Sequence, residues 1–416
     1  MATLPPLGQG PLKTPSLVQT PVAGFKAGAA TAGLRKDGRI DLALIAAEAP
    51  VSAAAVFTKN RLAAAPVQVA RRHVAAGRAQ AILANSGGAN AATGQPGLAA
   101  AEACCRAAGA ALGCDPGLVL PCSTGVIGQL LDSAKVAAVL PGLAAGLKPD
   151  GLARAAQAIM TTDAFAKMAE ERVTLAGAEV TMVGMAKGAG MIHPDMATML
   201  CFVLTDAAAS PAALKQALTD AAAESFNRAS VDGDTSTNDS LLLLASGRAG
   251  NPELGPQSPD LAAFTAALVR LCQRLAAMLV ADGEGAEHLV LVRVTGAPDD
   301  AQALAHAFAI AHSPLCKTAL AGCDPNWGRI VSTAGAEAGR RGWAYAMERL
   351  NLWIGEHQIC RDGLYAGPAA EQGAAAVMKE PRYAIRLDLG LGAGESWVLT
   401  SDLGHEYVRI NADYRT

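Results

Sequence analysis

Six consecutive apolar residues, Met199-Leu-Cys-Phe-Val-Leu204, follow a loop punctuated by Gly188, Gly190 and Pro194. The run is too short for a helix between that loop and Thr205-Asp206, so it reads as a strand buried on both faces. Such a strand needs cover on both sides, which points to a layered structure. It also puts Thr198 at the mouth of a rigid sheet. That is how a threonine nucleophile is presented, above all one released as a new chain N-terminus whose own α-amine serves as base.

The rest of the chain can supply the layers. It has 416 residues, enough for two domains, and 51% of them are hydrophobic, enough for a large core. Much of that content is alanine and only 4% of residues are aromatic, so helices packed closely on sheets suit it better than an aromatic-lined groove. A formal charge of -3, with no dense Lys/Arg run, leaves no electrostatic footprint for nucleic acid. The nine cysteines show no C-x-x-C spacing and read as reduced, buried thiols. The N-terminus lacks the regions of a signal peptide, and no uninterrupted apolar run reaches the roughly 18 residues of a membrane helix. The expectation is a soluble, cytoplasmic protein with no membrane partner.

Residues 1–20 are rich in Pro, Gly and Thr and read as a flexible arm. Strands are expected at Ile40–Ile45, Val51–Thr58, Ala81–Ala84 and Leu118–Leu120, with helices at Pro66–Ala76 and Leu98–Leu112. Asp132–Leu147 reads as helix broken at Pro141, and Arg172–Met185 as a hairpin around Gly177. Further on, helices are expected from Ser210-Pro211, over Pro259–Val280, Asp299–His312 and Trp327–Ala338, and strands at Leu241–Ala245 and His288–Val294. The tail from Trp343 alternates like antiparallel strands, including Tyr383–Leu389, Trp397–Leu399 and Tyr407–Ile410, with Gly390–Gly394 as a hairpin turn.

On residue pattern alone each candidate site has an ordinary reading beside the chemical one. Ser123-Thr124-Gly125 follows a strand and could aim N–H groups and a hydroxyl off the sheet edge, or be a plain turn. Thr162, in Met160-Thr-Thr-Asp163, could touch a substrate or cap a helix from Ala164. Asp232, Asp234 and Asp239 cluster with hydroxyls, but the spacing does not make a calcium loop, and a solvated or self-bonded loop fits better. No histidine pattern supports zinc.

Taken together, several motifs resemble one family. Lys187-Gly-x-Gly-Met-Ile-x-Pro-x-Met-Ala-Thr-Met-Leu200 is similar to the self-cleavage motif of the ornithine acetyltransferases, the glutamate N-acetyltransferases of cyclic arginine biosynthesis. Asn85–Gly94, Ser123–Gly128, Met160–Asp163, Phe226–Ser240, Asp282–Gly285, Asp324–Arg329 and Asn411–Thr416 resemble the family in its own order. Departures are Gly88, where a larger residue is usual, Glu287-His288 in place of Thr-Lys, and Cys323 in place of arginine.

The resemblance implies a layered α/β sandwich, cut between Ala197 and Thr198 into an alpha chain (21–197 after the arm) and a beta chain (198–416). It implies Thr198 as nucleophile, Thr124 and Gly125 as the oxyanion hole, and Thr162, Lys187, Thr198, Glu284, Asn411 and Thr416 as substrate contacts. Chemically this is coherent: an attacked amide develops a charged oxygen, and N-acetylornithine keeps a side-chain ammonium that Glu284 could face and an α-carboxylate that Lys187 could meet. The substrates would be N-acetylornithine and glutamate, with acetyl-CoA as a further donor left open, no cofactor, and a heterotetramer of two alpha and two beta chains. The competing expectations are an N-terminal-nucleophile aminopeptidase sharing Thr198, and a non-enzymatic metabolite-binding protein whose loop is never cut.

Overall fold

The apolar stretch Leu42–Phe57 forms one sixteen-residue strand instead of the two expected on either side of Pro50. The ladder to the neighbouring strand shifts register between Ala46 and Val51, and this bulge accommodates a proline that has no N–H to give. The structure, a computed structural model, describes residues 4–5, 7–193 and 199–413. Ala197, Thr198 and Thr416 therefore lie outside the described residues.

Two compact units are present. One comprises Pro15–Asn227 and Asp234–Leu279; the other comprises the chain up to Thr14, Arg228–Gly233 and the part from Val280 on. The first begins with β1 (Phe25–Ala30), β2 (Leu42–Phe57), α1 (Ala65–His73), β3 (Arg78–Asn85), α2 (Gly94–Leu112) and β4 (Val119–Ser123). It continues with α3 (Ser133–Ala145), α4 (Leu152–Ala158), β5 (Lys167–Leu175), β6 (Ala178–Lys187), β7 (Leu200–Thr205) and α5 (Pro211–Ala223). The two-residue β8 (Ala229–Ser230) belongs to the second unit, after which the first resumes with β9 (Ser240–Ala245) and α6 (Leu261–Ala281), whose last two residues pass into the second.

The first unit is a mixed sheet in the order β4-β3-β2-β9-β7-β6-β5, with β1 on β2. Alternation splits its strands between two cores. Leu42 and Leu44 of β2, Leu83 of β3 and Val119 of β4 pack with α1, α2 and α3. Ala43, Ile45, Ile82, Leu120, Phe202 and Leu242 face the other way and pack with α4. The run that opened the sequence analysis is β7, and all six of its residues are buried. α3 runs through Pro141 unbroken, because buried Val136, Leu140 and Leu143 hold both halves on the core. α6 is long and apolar enough to cross a membrane, with mean hydropathy 1.5. Here Phe264, Leu268, Leu271 and Leu275 are fully buried and Arg274 pairs with Glu171 at 3.0 Å, so it is a core helix.

The second unit carries β10 (Leu289–Ala297), α7 (Asp300–His312), α8 (Pro314–Ala321), α9 (Trp327–Arg341), β11 (Asn351–Ile354), β12 (His357–Arg361) and β13 (Leu364–Tyr365). α10 (Pro368–Met378), β14 (Arg382–Asp388), β15 (Gly394–Ser401) and α11 (His405–Asp413) complete it. Its sheet runs β13-β12-β11-β14-β10-β15-β8 and is also mixed. β14 lies parallel to β10 and β15 antiparallel to it, one on each side. The Gly390–Gly394 segment is therefore no hairpin turn; the strands it joins flank β10. Tyr407–Ile410, expected as strand, lies within α11, where Glu406 and Arg409 pair one turn apart at 2.5 Å. All nine cysteines are free and seven are buried, with burial pushing Cys104, Cys105, Cys122 and Cys272 up to about 12.

Candidate active site

β3 and β4 run parallel and finish side by side, with Asn85 opposite Ser123. The chain leaving β4 is then pinned from several directions. Thr124 N–H donates to the Asn85 carbonyl at 2.9 Å, the Ser123 hydroxyl donates to Asn85 Oδ1 at 2.6 Å, and Asn85 Nδ2 donates to the Gly88 carbonyl at 2.9 Å. Asn238 Nδ2 closes the set by donating to the carbonyls of Ser123 and Ala89.

Gly125 follows with φ +129, and a Cβ there would lie 2.8 Å from the Gly88 nitrogen, so only glycine fits. Its N–H donates to no group among the described residues. Thr124 N–H is already spent on Asn85, so the donors this turn can offer to a further acceptor are Gly125 N–H and the Thr124 hydroxyl. Gly88, smaller than the family's usual residue, sits beside this pair, and a Cβ on it would meet nothing within 4 Å.

The Thr124 hydroxyl is held in turn by Lys187, only 3% exposed, whose Nζ donates to Thr124 Oγ1 at 3.3 Å and to Thr161 Oγ1 at 2.8 Å. Lys187 ends β6, and Asp163 anchors it at 3.9 Å. Asp163 Oδ1 accepts from Lys167 Nζ at 2.6 Å and from Gly188 N–H at 2.7 Å, while Oδ2 accepts from Thr161 N–H at 2.8 Å. Burial alone would push the Asp163 carboxyl up, but the Lys167 and Lys187 ammoniums hold it well below the usual carboxylate range. No helix starts at Ala164, where β5 soon follows, so Thr162 is not a helix cap; the hydroxyl that Lys187 touches is that of its neighbour Thr161.

At the start of β7, Asp239 Oδ1 accepts the N–H of Met199 at 3.0 Å. Asp239 is fully buried with Ser236 to Ser240, so of the two readings of this loop the self-bonded one holds: Asn238 N–H donates to Ser236 Oγ at 3.0 Å and the Ser240 hydroxyl to the Asn238 carbonyl at 3.1 Å. Burial pushes its carboxyl well up, and the Met199 N–H opposes that.

The second unit holds the remaining described candidates. Asn411 Nδ2 donates to Glu284 Oε2 at 2.8 Å, and the Tyr407 hydroxyl donates to Asp232 Oδ2 at 3.4 Å. α11 can sit this close because Gly285 adopts φ +71 and lacks the Cβ that would stand 2.4 Å from the Tyr407 nitrogen. Two departures from the family pattern also meet here: Cys323 Sγ lies 3.7 Å from His288 Nε2, and the N–H groups of Glu287 and His288 both donate to Asp402 Oδ1 at 2.9 Å.

The sequence profile of the ArgJ family matches residues 26–416. The chain belongs to the ArgJ family. Among its relatives is the arginine biosynthesis bifunctional protein ArgJ of Syntrophotalea carbinolica, 45% identical over 95% of this chain and 99% of that protein. The protein of the same name from Symbiobacterium thermophilum is 46% identical over 95% and 98%. A crystallised chain of the Bacillus halodurans protein, 40% identical, covers 51% of this chain and 98% of its own, with a TM-score of 0.48.

Within this ArgJ family chain the structure thus brings Thr124, Gly125 and Lys187 together in one unit and Glu284 with Asn411 in the other. Sequence reasoning gave no role to Asp163, Thr161, Asn85, Asn238 or Asp239. The signal was present, since each lies in a quoted motif, but pattern does not reveal which polar side chain turns inward.

Proposed function

We propose that this chain is a glutamate N-acetyltransferase that moves acetyl from N2-acetyl-L-ornithine to L-glutamate through an acetyl ester on Thr198. Membership of the ArgJ family makes it an acyltransferase of arginine biosynthesis. The observation that carries the chemical reading is the pair formed by the uncommitted Gly125 N–H and the Thr124 hydroxyl.

The chain first cuts itself. Thr198 Oγ attacks the Ala197 carbonyl, the C–N bond breaks as its nitrogen takes the proton, and water hydrolyses the resulting ester to leave chains 1–197 and 198–416. In turnover, Thr198 Oγ attacks the acetyl carbonyl while the freed α-amine takes its proton. Gly125 N–H and the Thr124 hydroxyl receive the oxyanion, and Lys187, by donating to Thr124 Oγ1, turns that hydroxyl's proton outward and polarises it. The amide C–N bond breaks, ornithine leaves protonated, and the glutamate amine attacks the acetyl ester to regenerate Thr198.

Glu284 and Asn411 are assigned to the ornithine ammonium, Thr162 and Thr416 to further substrate contacts, and Lys187, besides polarising Thr124, to the α-carboxylate. The name bifunctional borne by the relatives supports acetyl-CoA as a second donor. Two alpha and two beta chains forming a cytoplasmic heterotetramer complete the proposal.

A denaturing gel with intact-mass measurement tests it. Two chains meeting at Ala197-Thr198 are expected, with the heavier-numbered chain gaining one acetyl group on incubation with N2-acetyl-L-ornithine alone. A single band, or peptide hydrolysis without acetyl transfer, would overturn it.

A further inference from the structure

The long strand β2 outruns one of its neighbours. Its pairing with β3 ends at Ser52, opposite Arg78, and one further bond carries Ala53 N–H to the Gly77 carbonyl at 2.8 Å. Alternate residues of a strand turn their peptide groups the same way, so those of Ala55 and Phe57 also face the side that β3 has left. Their N–H groups meet no acceptor there among the described residues.

Beside this open edge lies a cavity of about 460 Å³, within the range of roughly 300–1,000 Å³ that takes a small molecule. The turn after α1 forms one wall and the first turn of α5 another. They meet at Gly77, where φ is +71 and a Cβ would lie 2.3 Å from the Cβ of Pro211. None of the residues assigned to acetyl transfer lines the cavity.

Two cations do line it. Lys215 Nζ donates to the Ala55 carbonyl at 2.7 Å. Arg71 donates to the Thr58 carbonyl and lies over the Phe57 ring, 5.6 Å from its centroid. Among the described residues neither pairs with a carboxylate, and burial pulls Lys215 down from 10.5 with no acidic neighbour raising it. Each cation is therefore held in place by a backbone carbonyl that leaves its charge unneutralised, and each keeps further N–H donors for another acceptor.

We propose that this cavity binds a small polyanion, a molecule with two or more carboxylate or phosphate groups, gripped by Arg71 and Lys215 together beside the open N–H groups of β2. The planar fork of Arg71 fits either kind of group bidentately, and Lys215 adds a point charge. The remaining walls are small and apolar, so charge selects the ligand. The site does not depend on the chain being an acetyltransferase.

Isothermal calorimetry on the whole protein, with citrate and pyrophosphate titrated at constant ionic strength, tests it. Saturable binding of at least one probe is expected, and which of the two binds tells carboxylate from phosphate. Lys215→Met and Arg71→Met keep the apolar stems and should each weaken binding about tenfold or more, the loss of a charged hydrogen bond. Ala212→Glu sets a carboxylate on the cavity rim in the first turn of α5, where an acidic residue suits the helix, so it should weaken binding with the melting temperature unchanged. Lys26→Met, an exposed lysine on β1, should leave binding as it was. No saturation of either probe by about 10 mM overturns the inference, and Arg71 and Lys215 then serve only to guard an open strand edge. Binding that Lys26→Met weakens as much as Lys215→Met, or that neither cation variant weakens, overturns it as well. Should a cation variant fail to fold, Ala212→Glu decides: wild-type affinity in that variant is incompatible with an anion in this cavity.

Discussion

Replacing Asp163 by asparagine should be among the most damaging isosteric changes in the first unit. Both carboxylate oxygens accept: Oδ1 from Lys167 Nζ and Gly188 N–H, Oδ2 from Thr161 N–H. An amide has one accepting oxygen, so either orientation turns its NH2 onto a donor and leaves a buried N–H unsatisfied, at about 1–3 kcal/mol. The charge matters more. Lys167 and Asp163 are both 0% exposed, and the change takes from the lysine its carboxylate partner, leaving it beside the Phe165 carbonyl at 3.3 Å and the Phe165 ring at 4.9 Å. Breaking one side of a buried pair costs about 3–5 kcal/mol, and the two penalties overlap, so about 4 kcal/mol is expected at pH 7. Urea unfolding followed by circular dichroism reads it. The folded carboxyl lies below its unfolded value of 3.8, so its stabilisation is complete above that value and lost as the pH falls through the folded one. The gap between wild type and variant should therefore be flat from pH 7 to 5 and shrink below about 4. Adding Lys167→Met to Asp163→Asn should recover part of the loss, because the Lys167 ammonium is then no longer buried without its carboxylate. A difference under about 1 kcal/mol at pH 7, or one that does not shrink in acid, would refute the reasoning.

Gly125→Ala should lower kcat by about 10²–10³, the effect of displacing one oxyanion donor, with the far-ultraviolet spectrum unchanged. Gly88→Ala, one residue into open space, should change stability by less than about 0.5 kcal/mol, as a melting curve will show. Lys317 is buried and donates to Thr400 Oγ1 and the Ser401 carbonyl; burial pushes it down to about 8 from 10.5, with Asp402 and Asp232 opposing. The folded state then binds fewer protons between those values, so stability should rise across pH 8 to 10.5 by about 3 kcal/mol relative to Lys317→Met. Gly285→Ala forces a Cβ against the Tyr407 nitrogen and should displace α11, raising KM for N2-acetyl-L-ornithine more than it lowers kcat.

Much of this was legible in the chain. The apolar run at Leu200 became the buried interior strand β7, Gly177 turned the β5–β6 hairpin, and Ser210 capped α5 as its spacing indicated. The failures have physical causes. Ile40–Ile45 and Val51–Thr58 were expected as separate strands, but a bulge between Ala46 and Val51 lets one strand run through. Tyr407-Val-Arg-Ile410 alternates like a strand, yet a Glu406–Arg409 pair and the docking of Tyr407 beside Gly285 made it helical. β14 and β15 looked like a hairpin because the tail contains no sign that β10, about ninety residues earlier in the chain, inserts between them. At the site, glycines and threonines stood out by motif. The buried carboxylates of Asp163 and Asp239 did not, since burial is decided by elements far away in sequence.

The strand order of the first unit changes what a cut between Ala197 and Thr198 would mean. β7 and β9, downstream of that bond, lie between β2 and β6, upstream of it. Six residue pairs join β2 to β9 and six more join β6 to β7. One sheet would thus be woven from two polypeptides, with the later chain supplying two of its middle strands. Cleavage would free a terminus without freeing a fragment. The pieces should travel together through every non-denaturing column, and residues 1–197 made alone would face a sheet with its centre missing and two raw edges open to aggregation.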